Sequence, residues 1–209
     1  KAEGYDFIAL TDHFVGTLAD ELPSSPPYRD DSFTTLLGIE MHSGAQENGE
    51  LWHLLAVGVP SDFAPSQSPA FHPVDGQESG AEIAARAREA GAFVAIAHPQ
   101  WSGLTMDDAR SISAAHAVET YNHGCHNLSD RGTGMPMLEL LLSEGRALNL
   151  IATDDAHFNG PDAFGGWVMV KAEANDPDQL LAALKAGAYY SSQGPRIDGI
   201  WFEGDRIRV

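Results

Sequence analysis

Only one cysteine, Cys125, occurs in 209 residues. That excludes an internal disulfide framework and a cysteine-based zinc site, and Cys125 reads as a small filler rather than a nucleophile. Positive charge is scarce: 12 Lys and Arg face 30 Asp and Glu, for a formal net charge of −18. Such a field repels polyanions and argues against a general nucleic-acid-binding surface, although bound divalent cations would invert it inside a pocket. No apolar run approaches the roughly 20 residues of a membrane span and no signal peptide is visible, so a soluble, cytoplasmic chain with no membrane partner is expected. Neither a GxGxxG nor a GxxxxGK(S/T) run occurs, which leaves nothing to favour a nucleotide cofactor. A linker with independent periodic sequence on both sides is also lacking. One domain with one sizeable core is therefore expected.

What the chain does contain is a succession of short apolar runs that end in histidine or a carboxylate. Phe7–Leu10 runs into Thr11-Asp12-His13, residues 36–39 into Glu40-Met41-His42, residues 93–97 into His98-Pro99, and residues 148–151 into Ala152-Thr153-Asp154-Asp155-Ala156-His157. A buried strand needs only apolar residues and a turn, so such endings ask for a second reason, and a shared metal site supplies one. Any one of them alone would pass as an N-cap or a surface histidine; the set points to a metal. On an extended segment Asp155 and His157 share one side, so a carboxylate oxygen and an imidazole nitrogen reach one cation while Asp154 points the other way.

The elements alternate. A short helix is expected over 15–21 and a Pro/Ser loop over 23–27. Residues 36–41 and 51–59 read as strands joined across Gln46-Glu47-Asn48-Gly49, a hairpin signal that puts His53 on the returning strand. Residues 61–74 read as a long surface loop. A strong helix over 81–90, stopped by Gly91, feeds the strand before His98. Helices are expected over 106–113, 137–144 and 178–185, the last opened by Asp176-Pro177 and stopped by Gly187. Strands are expected over 117–121, 147–151, 167–170 and 189–192, and a terminal hairpin over 197–202 and 206–209. Strand–helix units with polar residues at the strand ends argue for a parallel barrel, with an open doubly wound sheet as the alternative.

Several of these segments carry a family resemblance. Gly4-Tyr5-Asp6-Phe7-Ile8-Ala9-Leu10-Thr11-Asp12-His13, Gly38-Ile39-Glu40, Ala97-His98-Pro99, Asp154-Asp155-Ala156-His157 and Tyr189-Tyr190-Ser191-Ser192-Gln193-Gly194-Pro195 resemble successive motifs of the PHP superfamily, the polymerase and histidinol phosphatase metal-dependent hydrolases. His98-Pro99-Gln100-Trp101, Glu119-Thr120-Tyr121-Asn122 and Gly165-Gly166-Trp167-Val168-Met169-Val170-Lys171-Ala172 are similar to its CehA/McbA-like branch. The resemblance implies an α/β fold, a distorted (β/α)7 TIM-like barrel over 1–195, with 196–209 starting a C-terminal β extension. It implies two or three divalent ions, Mn, Zn or Fe, at the C-terminal mouth, held by His13, Glu40, His53, His98, Asp155 and His157, with Glu40 bridging two of them. Asp12, Trp101, Asn122, His123, Asp154, Arg131 and Arg196 are candidates for touching substrate or steadying the ligands, and His126 joins them. His42, His72 and His116 are given no role.

The chain departs from the resemblance at its start. The family begins with a His-x-His on its first strand, and no such pair occurs here. An N-terminally incomplete barrel, short of a strand and two ligands, is the expectation. The function implied is a metal-dependent hydrolase, first a phosphoesterase that acts on a small phosphorylated substrate through a metal-activated water. Gln100-Trp101 follows His98-Pro99 where phosphate-recognising relatives often place Gly-Arg, so a carboxylic ester or carbamate lying on Trp101 is the alternative. A non-catalytic metal-binding domain with a reduced site is a third reading, supported by the missing pair.

Overall fold

The computed structural model describes residues 2–16, 22, 26–66, 72–74 and 76–209. The helix expected over 15–21 therefore falls largely outside the described residues, as do 23–25 and 67–71 of the two expected loops. The main sheet contains β1 (Phe7–Leu10), β2 (His13–Phe14), β3 (Thr34–Met41), β4 (Leu54–Val57), β5 (Phe93–Ile96), β6 (Ala117–Asn122) and β7 (Asn149–Thr153). Its order is β1-β3-β4-β5-β6-β7, and β2 continues the line of β1 along β3, so the first run is one strand interrupted at Thr11-Asp12. The sheet curls into half a barrel.

The all-parallel arrangement suggested by the alternation does not hold. Pairings β1–β3, β5–β6 and β6–β7 are parallel, whereas β3–β4 and β4–β5 are antiparallel. The cause is the hairpin signal at 46–49, where the Gln46 N–H donates to the Glu50 carbonyl at 2.8 Å and Gly49 takes φ +86°. A side chain in that left-handed region would be strained, and glycine removes the penalty. The hairpin inserts β4, running backwards, between β3 and β5. β8 (Trp167–Val170) and β9 (Tyr189–Ser192) pair antiparallel with each other and pack on β7 instead of extending the main sheet. β10 (Trp201–Glu203) and β11 (Arg206–Arg208) form the expected terminal hairpin, slightly shorter and exposed throughout.

Helices fill the returns. α1 (Gly80–Glu89) starts at a capping box in which Ser79 and Glu82 satisfy each other's backbone N–H, and it buries Ile83, Ala84 and Ala87. α3 (Met106–Ser111) repeats the device with Thr105 and Asp108. α5 (Met135–Ser143) and α6 (Pro177–Ala186) carry Pro in their first turn, and α6 ends at Gly187 in the left-handed conformation. The short α2 (Pro99–Ser102) and α4 (His123–Ser129) were not expected, because each begins directly at a strand end with no apolar period of its own. Along β5, Val94 and Ile96 face one core with Ile39, Met41, Leu54, Ile83 and Leu138, while Phe93 and Ala95 face a second with Leu36, Val57, Leu180 and Leu184. Burial on both faces explains why this strand is apolar at every position. No helix among the described residues is long and apolar enough to cross a membrane.

Close backbone approach fixes the rim. A Cβ on Gly134 would lie 2.1 Å from the Glu119 carbonyl oxygen and 2.9 Å from Pro99 Cγ, so only glycine lets α5 begin beside β6. Gly134→Ala is expected to destabilise the chain by about 1–3 kcal/mol, the usual range for overpacking, read as a lower midpoint in urea unfolding.

Candidate metal centre

The topology delivers the candidate ligands to one rim. His13 is paired in register with Glu40, next to the end of β3. Because β4 runs backwards, His53, which precedes its first residue, reaches the same rim as His98, which lies two residues past the end of β5; the Ala97 N–H donates to the His53 carbonyl. β6 ends at Asn122, and Asp155 and His157 follow β7.

At the centre is the Glu40 carboxylate, 5% exposed. Its Oε1 lies 2.8 Å from His53 Nδ1 and 3.1 Å from His98 Nε2; its Oε2 lies 2.8 Å from His13 Nδ1 and 3.8 Å from His42 Nε2. His13 Nδ1 is also 2.8 Å from His42 Nε2, and its Nε2 is 3.4 Å from His157 Nε2. Asp155 Oδ2 stands 4.0 Å from His98 Nε2. Two groups of three among the described residues, His13–Glu40–His42 and Glu40–His53–His98, each bring donor atoms within 4.8 Å of one another. One carboxylate among imidazoles is a mixed oxygen and nitrogen set that fits a divalent metal ion, and the cluster could hold one.

Burial and mutual hydrogen bonding shift the titration of these groups in opposite directions. Burial alone would push the Glu40 carboxyl up, but hydrogen bonds with His13, His53 and His98 together hold it well below the usual carboxylate range. Burial would lower His98, and the contacts with Glu40, Glu119 and Asp155 instead raise it to about 9. The hydrogen bond with Glu40 raises His13 against its own burial. His42, 0% exposed, is pushed down to about 3 by burial. Two residues here are non-glycine with positive φ, His98 at 20° and Asp155 at 54°. Backbone strain of this kind persists where surrounding contacts over-determine it.

Those contacts come from Glu119 and Asn122. The Glu119 carboxylate, buried on β6 and pushed up by that burial, accepts from the His98 backbone N–H, from Thr153 Oγ1 and, at 3.0 Å, from Asn122 Nδ2. Asn122 Nδ2 also donates to Asp155 Oδ2 at 3.0 Å, while its Oδ1 accepts from the Cys125 N–H and caps α4. One amide thus holds both hydrogens in service and ties β6, α4 and the turn after β7 together. Cys125 is buried, and that burial raises its thiol, in keeping with a filler.

The two adjacent aspartates separate as the sequence suggested, for a different reason. The segment is not extended at Asp155, so side-chain alternation does not apply; the left-handed turn there aims Asp155 at His98. Asp154 instead accepts from Tyr5 Oη at 2.9 Å and from the Gly165 and Gly166 N–H groups at 2.8 and 2.9 Å, which fastens the loop before β8. Trp101, 43% exposed, sets its ring edge-on to His53 and His98, with centroids 5.5 and 5.0 Å away.

Other candidates lie outside the cluster. Asp12 is exposed and takes part through its carbonyl, which accepts the Glu40 N–H. His123 sits against Tyr121 Oη and Asn127, His126 is on the surface near Asp130, Arg131 donates to the Gln100 carbonyl, and Arg196 pairs with Asp198. His116 stacks on Phe93 at the opposite end of the sheet, and His72 is exposed. The residue that sequence reasoning missed is His42. Its signal was present: it stands two residues from Glu40, the same spacing that was used to join Asp155 to His157. No model of a known protein family matches the chain, and no curated protein matches it either.

Two outcomes follow from this geometry. Asp154→Ala is expected to lower the unfolding midpoint of the metal-free chain, because three hydrogen bonds to a carboxylate go with it, each worth about 1.5–3 kcal/mol. Asp155→Ala should lower that midpoint less, because its Oδ2 accepts one amide hydrogen bond, from Asn122, beside a long contact with the Cys125 thiol. The second outcome concerns pH. His98 and His13 have raised pKa values, so their contribution to stability is full below about 6.5 and is lost as pH rises, through about 9 for His98. His42 is depressed, so its contribution is present above about 6.5 and lost as pH falls toward about 3, and the depressed Glu40 adds to the acid limb. In the metal-free chain these groups should lower the thermal midpoint on both the acid and the alkaline side, and His98→Gln should flatten the alkaline limb.

Proposed function

We propose that this chain is a metal-dependent hydrolase, and that its substrate is a phosphate ester of a small molecule. The observation that carries the reading is the buried Glu40 carboxylate, contacted by His13, His53 and His98 with no lysine or arginine in contact among the described residues. Its motif resemblance to the PHP superfamily supplies the reaction class. His13, Glu40, His53, His98, Asp155 and His157 would hold the ions. Divalent ions there would supply an acidified water nucleophile and polarise the scissile group.

The chain's own residues do the positioning. Glu119 and Asn122 fix the His98 backbone and the Asp155 carboxylate, so the ligand directions are set before a substrate arrives. Phe14, Met41 and Trp52 are buried beside the rim residues and back the site with apolar packing. Trp101 offers an exposed aromatic edge next to His53 and His98, where a flat group of the substrate can rest.

A second reading, hydrolysis of a carboxylic ester or carbamate, is favoured by a specific observation. Arg131 and Arg196, the two cations among the substrate candidates, are engaged with the Gln100 carbonyl and Asp198 instead of facing the cluster. The test is turnover of 4-nitrophenyl phosphate and 4-nitrophenyl acetate by chain loaded with Mn or Zn, with and without chelator. Metal-dependent phosphate release that falls by about 100-fold or more in Glu40→Gln supports the phosphoesterase. Turnover of the acetate alone selects the ester reading. Bound metal with no turnover of any ester in a broader panel leaves a metal-binding domain.

A further inference from the structure

We propose that His42 is itself a metal ligand, and that Glu40 divides the cluster into two ion positions, with His13 and His42 on its Oε2 side and His53 and His98 on its Oε1 side. The inference rests on the metal reading above and adds to it a ligand that the motif resemblance does not provide.

The two sides are alike in chemistry. On the Oε1 side the carboxylate oxygen lies 2.8 and 3.1 Å from two imidazole nitrogens. On the Oε2 side the corresponding distances are 2.8 Å to His13 and 3.8 Å to His42, and the two nitrogens are 2.8 Å apart. Donors bound at about 2.0–2.1 Å around a tetrahedral ion are separated by about 3.3 Å, and the three Oε2-side distances straddle that value. Movements of well under an ångström would admit an ion. Without His42 the Oε2 side has only Glu40 and His13 at this range, with His157 behind His13 rather than beside the oxygen. With it, both sides become groups of three.

His42 is also held as a ligand would need to be. It is fully buried where β3 leaves the sheet; its carbonyl accepts from Ser66 Oγ, and the next carbonyl, of Ser43, accepts the Trp52 N–H at 3.1 Å. Its ring meets His53 edge-on with centroids 4.4 Å apart, so the four imidazoles pack as one wall around the carboxylate. A buried imidazole needs a hydrogen-bond partner in any case, which His13 Nδ1 at 2.8 Å supplies; what ligation adds is an account of why the same Nε2 also lies on the Glu40 side, 3.8 Å from Oε2.

The test is metal counting on the intact chain, loaded with Zn and desalted, with binding affinity measured alongside. Wild type is expected to hold at least two ions, His42→Gln one fewer, or the same number with one position weakened about 10-fold or more, and Glu40→Gln to lose both positions. His72→Ala, at an exposed histidine given no role, should match wild type. So that a folding defect is not read as lost ligation, the wild-type chain labelled with 15N-histidine is titrated with Zn in parallel, and the His42 Nε2 resonance should move together with that of His13. A wild type that holds a single ion, a His42→Gln variant that binds as wild type does, or a His42 resonance that stays still while His13 moves overturns the assignment. A wild type that binds no divalent ion overturns the metal reading itself, and the two failures are thereby distinguished.

Discussion

A carboxylate taken out of water needs charge and hydrogen bonds to replace its hydration, and in this protein that demand falls on Glu40. The side chain sits near the end of an interior strand, where no lysine or arginine among the described residues is paired with it. Imidazoles therefore supply the compensation, and they arrive from the strand before, the strand after and the next one again. Much of the rim follows from this. β2 must continue far enough to bring His13 into register, the hairpin must turn β4 back so that His53 precedes it, and β5 must stop in time for His98 to bend inward with positive φ.

Around that centre lies a layer of polar groups that never touches Glu40. Glu119 gathers a backbone N–H, a hydroxyl and an amide, and through the amide it reaches Asp155. Each buried polar atom in this chain of contacts finds a partner on another element, so the strained backbone at His98 and Asp155 is held from several directions at once. Gly124 and Gly134 make the arrangement possible by letting α4 and α5 start close against the neighbouring backbone.

The sequence made the elements readable wherever a period was long or a cap was explicit. Gly91 closed the helix expected over 81–90, Asp176-Pro177 and Gly187 bounded the one expected over 178–185, and the runs at 93–96 and 117–121 fell in strands. It was less informative where tertiary contacts decide. Nothing local distinguishes a strand that joins the main sheet from β8 and β9, which pair with each other. α2 and α4 are too short for a period, and α4 depends on an asparagine cap that also serves the site. At the rim, histidines at strand ends pointed correctly to a cluster. The direction of Asp155 was inferred from an alternation that the left-handed turn abolishes, and His42 was passed over although its spacing to Glu40 carried the same message.

The reversed strand has a consequence for how the cluster assembles as the chain folds. Glu40 and His53 are 13 residues apart and are joined by one hairpin, whereas His13 and His157 are 144 apart. Loop-closure entropy rises as the logarithm of that separation, so the longer closure costs about 2 kcal/mol more before any contact repays it. Contacts at short separation also form faster. The Glu40–His53 half of the rim can therefore be in place on a hairpin while the chain that carries Asp155 and His157 is still searching, and the far side of the cluster closes over a partner that is already formed.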